Sequence, residues 1–354
     1  MKTMFKGIAV SLSAFAALVL SEATWPAAAA DNVSFAGKNV TMVIGFEAGG
    51  GVDVYGRILG QNLVRYLPGN PSLIPLNQLG AGGVVPLNSW VAKSERDGLS
   101  VAIITQTQID PEALFRTNAM YDPAKFKYVG GVAAPSQALF VRDDAIKRLT
   151  DKSQPPVVMA IVGTTLRTGY YQTLWGAAFL DWNIKWVPGY RQTAEVRQAM
   201  ERGEADMSAF GSISDIKYLQ DVGKFTVISQ SGMIENGKRV SRPILGNAPI
   251  MYEMLQGKVK DPMALEALEY SENVLEIGKS LALPPGTADQ IVETYIKAFD
   301  ATLADPKYQS EVQKTDPDSP IARKADLEKM VGGLSKVTEK TVDFIRAEMK
   351  RQGL

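Results

Sequence analysis

Short β-like runs that end in glycine and are followed by helical runs set the strongest limit on how this chain folds. VTMVIGF (40–46) runs into Gly49-Gly50-Gly51, and behind those glycines Tyr55, Ile58, Leu59, Leu63 and Leu67 recur at three- and four-residue spacing. That is the stripe of a helix with one buried face, and Pro68-Gly69-Asn70-Pro71 stops it. The next β-like run, SLIPLNQ (72–78), ends in a second glycine loop, Gly80-Ala81-Gly82-Gly83, and LSVAIIT (99–105) follows. Later runs are QALFVRD (137–143), VVMAIVG (157–163), NIKWVPG (183–189), KFTVISQ (224–230) and SLALPPG (280–286), with helical patterns between and after them. Alternation of this kind predicts an α/β fold with largely parallel sheets, and 354 residues suggest two lobes.

The first thirty residues read as a leader. Lys2 and Lys6 precede an apolar stretch, Gly7 to Leu20, and Ala28-Ala29-Ala30 supplies an A-x-A cleavage site. The apolar stretch falls short of the ~20 residues a spanning helix needs. Cleavage is expected after Ala30, with no cysteine there to carry a lipid, so the predicted location is periplasmic.

Composition then removes whole classes of function. The chain has no histidine and no cysteine. This excludes Ser-His-Asp and Cys-His nucleophilic sites, zinc sites built on imidazole or thiolate, and disulfides. With 38 basic and 38 acidic residues it carries no bulk charge to attract nucleic acid or an anionic membrane. No cofactor, metal or catalytic residue is predicted. Dinucleotide binding fails on spacing: from Gly49 the G-x-G-x-x pattern reaches Val54, and from Gly80 it reaches Val85, where a third glycine is required.

What glycine loops between strand and helix do offer is bare backbone. A ligand approaches closely where there is no Cβ, and the first turn of the following helix presents unpaired N–H groups at its positive end. The dipole is worth roughly 0.3–1 kcal/mol when exposed, and each hydrogen bond to a charged group about 1.5–3 kcal/mol. Two such loops, one strand apart, are expected at the same sheet edge, where open α/β sheets bind ligands. Thr105, Gln106 and Thr107 follow the third strand and offer neutral polar contacts at that edge. Asp53, in the first helical turn, reads either as a cap or as a lining residue that would repel an anion unless the ligand carried a donor. Glu47 is expected to face solvent.

The order of these motifs is similar to a known family. Phe46-x-Ala48-Gly49-Gly50-x-x-Asp53, then Pro-Gly-Asn-Pro, Asn77-x-x-Gly80-Ala81-Gly82-Gly83, Asp97-Gly98, Gly203-Glu204-Ala205-Asp206 and Pro284-Pro285-Gly286-Thr287 resemble the Bug family, the solute receptors of tripartite tricarboxylate transporters. The resemblance covers essentially the whole mature chain. It implies a type II periplasmic binding protein fold, with two α/β lobes joined by crossing strands and a carboxylate-bearing ligand in the cleft between them. Residues 31–138 and 280–354 would form a discontinuous lobe 1, and 139–279 lobe 2.

By the same resemblance the ligand-binding residues would be Phe46, Ala48, Gly49, Gly50, Gly51, Asp53, Gly80, Ala81, Gly82 and Gly83 in lobe 1, with Gly163, Thr164, Thr165 and Asp206 in lobe 2. Thr164 and Thr165 can donate hydroxyls, Arg167 can grip a second carboxylate with its planar fork, and Tyr190 and Arg191 follow a strand toward the cleft. The sequence departs from the family at Gly45, where proline is usual, and at Glu47, Leu79 and the Gly163-Thr164-Thr165 loop. The expected function is capture of a small organic carboxylate by a monomeric receptor for a membrane permease. Two other readings share the chain: presentation of the ligand to a membrane sensor, and an exported hydrolase or lyase using Asp53, Glu47 or Asp206 as acid or base.

Overall fold

The computed structural model describes residues 33–354 apart from 118, 164, 165, 167, 168, 236, 237 and 315–318. The expected leader, and with it Thr164, Thr165 and Arg167, therefore lie outside the described residues.

Strand β1 (Asn39–Ile44) feeds helix α1 (Gly51–Leu63), β2 (Ser72–Asn77) feeds α2 (Val84–Lys93), and β3 (Ser100–Thr105) feeds α3 (Pro111–Thr117) before β4 (Lys127–Ala133). The chain then crosses to β5 (Ala138–Arg142), β6 (Val157–Val162), α4 (Tyr170–Phe179), β7 (Ile184–Tyr190), α5 (Thr193–Arg202), β8 (Met207–Phe210), α6 (Ile213–Val222) and β9 (Phe225–Gln230). Two short antiparallel strands, β10 (Met233–Glu235) and β11 (Lys238–Val240), then α7 (Met251–Leu255) and α8 (Pro262–Leu275), lead back to β12 (Ile277–Leu283). Helices α9 (Asp289–Leu303) and α10 (Pro306–Val312), strand β13 (Ile321–Arg323), and helices α11 (Lys324–Leu334) and α12 (Glu339–Arg351) finish the chain.

Besides the β10-β11 pair, the described residues form two larger sheets: a six-stranded one ordered β13-β4-β12-β3-β1-β2 and a five-stranded one ordered β7-β6-β8-β5-β9. Parallel pairing holds where strands are joined by helices, for β1 with β2 and β3 and for β6 with β7 and β8. Antiparallel pairing occurs in each sheet as well, β12 with β3 and β4 and the short edge strand β13 with β4 in the first, and β5 with β8 and β9 in the second. Strands β5 and β12 are those by which the chain enters the second sheet and returns to the first, so they meet their neighbours head to tail. The outward crossing is residues 134–137, and the return falls before Ile277.

The sequence pattern accounts for the core. Tyr55, Leu59 and Leu63 on α1 are buried against Met42, Ile44, Val101 and Ile103 of β1 and β3, with Val292, Tyr295 and Phe299 of α9 in the same cluster. Each such side chain contributes about 1.5–3 kcal/mol by leaving water.

The register fixes which edges face the crossing. Lys279, near the start of β12, lies opposite Thr105 at the end of β3, and Ile277 lies opposite Ala133 at the end of β4. Both crossings thus occur at the edge where β1, β2 and β3 end in their glycine and polar loops. In the second sheet Ala138 opposes Phe210 and Gln230, the last residues of β8 and β9. Since β6 and β7 run with β8, Gly163 and Tyr190 end at that same edge.

A buried ion cluster sits at this junction. Arg239 donates to Ser231 O (2.7 Å) and to the Glu276 carboxylate, and it lies 3.4 Å from Glu272 Oε2. Glu276 O in turn accepts the Ala134 N–H (3.0 Å), tying the return to the outward crossing. One guanidinium thus faces two carboxyls, and neither Glu272 oxygen gains a hydrogen bond among the described residues. Burial pushes the Glu272 carboxyl up to about 7, with Arg239 opposing the shift and the like charge of Glu276 adding to it; burial also raises the Glu276 carboxyl, against Arg239 and Lys329 of α11. The folded protein therefore holds a proton on Glu272 that the unfolded chain gives up near pH 4.5. Stability is expected to fall as pH rises from there to about 7, then to level off. Glu272→Gln should match the parent near pH 4.5 and exceed it at pH 8 by on the order of 3 kcal/mol, at about 1.4 kcal/mol per pKa unit. Thermal melts of both proteins from pH 4.5 to 8.5 check this, and parallel curves refute it.

Candidate functional site: two glycine loops at one sheet edge

Between β1 and α1 the chain turns through Gly45 to Gly50. Glu47, Ala48, Gly49, Gly50 and Gly51 are exposed, and Glu47 faces solvent as expected. Gly49 has φ +81°, and Gly50 caps α1 in an extended conformation with no side-chain cap bond. Val54 N–H returns to Gly50 O at 2.9 Å, which leaves the N–H groups of Gly51, Val52 and Asp53 without an acceptor among the described residues. Those are the donors that a helix start offers an anion.

Asp53 does not line this opening. Its carboxylate is almost fully buried and accepts three donors: Gly49 N–H (2.8 Å), Arg57 Nε (2.8 Å) and Asn77 Nδ2 (2.9 Å). Asn77 also donates to Phe46 O (3.0 Å) and accepts from Arg57 Nη2 (2.9 Å). Burial alone would raise the carboxyl, but the bonds from Arg57, Gly49 and Asn77 outweigh it and hold it below the usual aspartate range. Asp53 is the clasp of the first loop: it fixes Gly49 and locks β2 to α1. The i,i+4 spacing of Asp53 and Arg57 was the available sequence signal for this pair; Asn77 gave none.

The second loop is more contorted. Gly80, Ala81, Gly82 and Gly83 have φ of +143°, +47°, +64° and +92°. Ala81 is the one member with a Cβ, and a left-handed conformation costs such a residue roughly 1–2 kcal/mol. Gly83 N–H is spent on Gly80 O (2.9 Å) and Val85 N–H on the same oxygen (3.3 Å), so Ala81 and Gly82 supply this loop's unspent amides. Gly83 contributes by contact rather than by donation.

The two loops touch. An ideal Cβ at Gly45 would stand 2.6 Å from Gly83 Cα, and one at Gly82 would stand 2.6 Å from Thr107 Cγ2. The third strand's end thus closes the group, with Thr105 buried and Gln106 and Thr107 half-buried. Sequence reasoning missed Gln108. It is completely buried, its Oε1 accepts from Thr105 N–H (2.6 Å) and Thr105 Oγ1 (3.0 Å), and its Nε2 has no hydrogen-bond partner among the described residues. A buried donor left unmade costs about 1–3 kcal/mol.

In the second lobe Gly163 (φ +75°) exchanges backbone bonds with β7, accepting from Gly189 N–H (2.7 Å) and donating to Tyr190 O (2.8 Å), and has open space where a side chain would be. Tyr190 is half-buried beside it. Arg191 is highly exposed and paired with Glu195 on α5, so it points along that helix. Asp206 lies at the opposite edge of the sheet. It precedes β8, and its carboxylate accepts Val158 N–H (2.9 Å) and pairs with Arg148 Nη2 (2.6 Å) at the start of β6. Its place is set by the sheet's far end, remote from the glycine loops. An acid/base pairing of Asp53 with Asp206 therefore has no geometric basis.

The two sheets and the crossings between them are a fold shared with periplasmic solute-binding proteins of known structure. The structure is similar to a TctC solute binding protein from Polaromonas with a TM-score of 0.66 at 16% identity, over 88% of this chain and 98% of that one. A Rhodopseudomonas palustris protein with adipate matches with a TM-score of 0.56 at 20% identity, over 87% of this chain and 97% of that one. MatC from Rhodopseudomonas palustris with bound malate gives 0.51 at 19% identity, over 89% and 97%. No protein-family model and no curated protein matches the chain. At these identities the likeness is one of fold, and it is the fold expected from the sequence resemblance.

Proposed function

We propose that this protein is a periplasmic receptor that closes its two lobes on a small organic carboxylate and hands it to a membrane permease of the tripartite tricarboxylate type, without breaking bonds. The observation that carries this reading is the meeting of two glycine loops at one sheet edge. There the amides of Gly51, Val52, Asp53, Ala81 and Gly82 lack acceptors among the described residues, while the buried Asp53 carboxylate is already neutralised by its own donors. A patch of unspent N–H groups favours a carboxylate. Two or three charge-assisted bonds at about 1.5–3 kcal/mol each supply much of the roughly 8 kcal/mol of a micromolar complex. Structural neighbours with malate and with adipate support the same ligand class.

In the closed state Gly163, Thr164 and Thr165 would meet the ligand from the second lobe, with Arg167 on a second carboxylate and Tyr190 beside them. The lobes divide at residues 134–137 and just before Ile277, and the receptor works as a monomer whose cleft opens and shuts. Isothermal titration of purified, ligand-stripped protein with mono-, di- and tricarboxylates tests the proposal. Saturable binding of at least one, with no turnover of it, is the expected result. Absence of heat with every member of the panel overturns it.

A further inference from the structure

Gln108 has a position that neither the loops' chemistry nor the core explains. It is completely buried, yet it ends in a carboxamide whose nitrogen has no hydrogen-bond partner among the described residues. Its orientation is fixed by chemistry: Oε1 must be the atom facing Thr105, because Thr105 offers it an N–H and a hydroxyl. Nε2 is thereby turned to the place where the glycine loops touch. It would lie 2.7 Å from a Cβ on Gly45 and 2.2 Å from a Cβ on Gly83, so this amide fills the space left by the missing side chains of both loops. The backbone O of Gln108 accepts from Tyr121 Oη at 2.8 Å, which holds the residue from the other side.

We infer that Gln108 is the positioning and charge-selecting residue of the anion cradle: it wedges the two glycine loops into register and sets an unspent, partly positive N–H₂ group beneath them. This rests on the proposed function and deepens it. An unspent donor in a dry interior projects its field with little screening, so it favours a negative ligand above it without touching that ligand. A neutral donor suits the task, since no counter-ion is needed to keep it buried. The same wedge explains glycine at position 45, because a side chain there would compete with Nε2 for one space.

The test replaces the nitrogen alone. Gln108→Glu keeps the acceptor for Thr105 and the side-chain volume but puts an oxygen where Nε2 stood. Gln108→Met keeps the volume and removes the dipole. Affinities for malate and adipate are measured by titration calorimetry between pH 6 and 8.5, with melting temperature as the fold control. The parent is expected to bind with little pH dependence. Gln108→Glu is expected to bind at least about tenfold more weakly at pH 8 and to recover as the pH falls and its carboxyl takes up a proton. Gln108→Met is expected to lose several-fold with no pH dependence. A purely structural role would weaken both variants alike and flatly with pH. Parent-like affinity in Gln108→Glu, or equal and flat losses in both, overturns the inference while leaving the proposed function standing. A parent that binds no carboxylate overturns both. Should Gln108→Glu fail to fold, parent-like affinity in Gln108→Met alone is enough to refute it.

Discussion

Gly45→Ala is expected to part the two glycine loops and to lower ligand affinity by about 10–100-fold, the worth of one charge-assisted hydrogen bond. The added Cβ would stand 2.6 Å from Gly83 Cα and 2.7 Å from Gln108 Nε2. The second contact could be relieved by a rotation. The first is with backbone, in a loop already held at four successive positive φ values. Overpacking costs typically 1–3 kcal/mol and more where the neighbours cannot yield, so a loss near 3 kcal/mol is expected. At roughly 2–4 °C per kcal/mol for domains of this scale, the melting temperature should fall by about 6–12 °C. Differential scanning calorimetry and titration on the same preparation check both numbers. A variant that melts and binds like the parent would show that the loops do not meet at Gly83. The contrast with Gly163→Ala is informative, because that position has open space for a Cβ and only the strain of its φ of +75°.

Asp53→Ala should be nearly as damaging, for a different reason. The substitution leaves Gly49 N–H, Arg57 Nε and Asn77 Nδ2 without their shared acceptor. Removing one partner of a fully buried ion pair costs about 3–5 kcal/mol. Here the Arg57 side chain is 37% exposed, so water takes back part of that loss, and roughly 2–3 kcal/mol is expected. Affinity should fall with it, because Gly49 keeps its φ of +81° through the Asp53 bond. Asp53→Asn should recover part of the stability by keeping the shape and one acceptor. The pH dependence gives an independent check. The folded carboxyl lies below its ordinary value of 3.8, so its contribution is fully present above that value and is lost as the pH falls through the lowered one. The gap in melting temperature between parent and Asp53→Ala should be constant from pH 5 to 8 and should close toward acid. A gap that persists in acid would mean the damage is steric.

These two positions also mark how far the sequence could be read. The alternation of strand and helix, the two glycine loops and their place one strand apart were legible, because hydrophobic period and glycine are local signals. Asp53 showed its place in the first turn of the helix but not its partners, since Asn77 reaches it across the sheet from 24 residues away. Asp206 was read into the cleft by motif alone. The motif fixes its order after α5 but not which end of the sheet it occupies. That is set by β5, which enters antiparallel to β8 and carries the crossing at the other end.

Strand β4 shows the division most plainly. KYVGGVA has two glycines in a row, a pair that by itself favours a turn, yet it is a strand paired on both sides in the first sheet. A Cβ on Gly130 would meet the Phe299 ring at 2.3 Å, and one on Gly131 would meet Lys279 O at 2.1 Å. The bareness is room for α9 on one side and β12 on the other. Periodicity and glycine placement by themselves determined the α/β class and the amide-rich loops, since those depend on neighbours in sequence. The antiparallel crossings, the burial of Gln108 between two loops and the use of Asp53 as a clasp were decided only by the tertiary structure. Each depends on which groups are brought together from distant parts of the chain, and no local pattern encodes that.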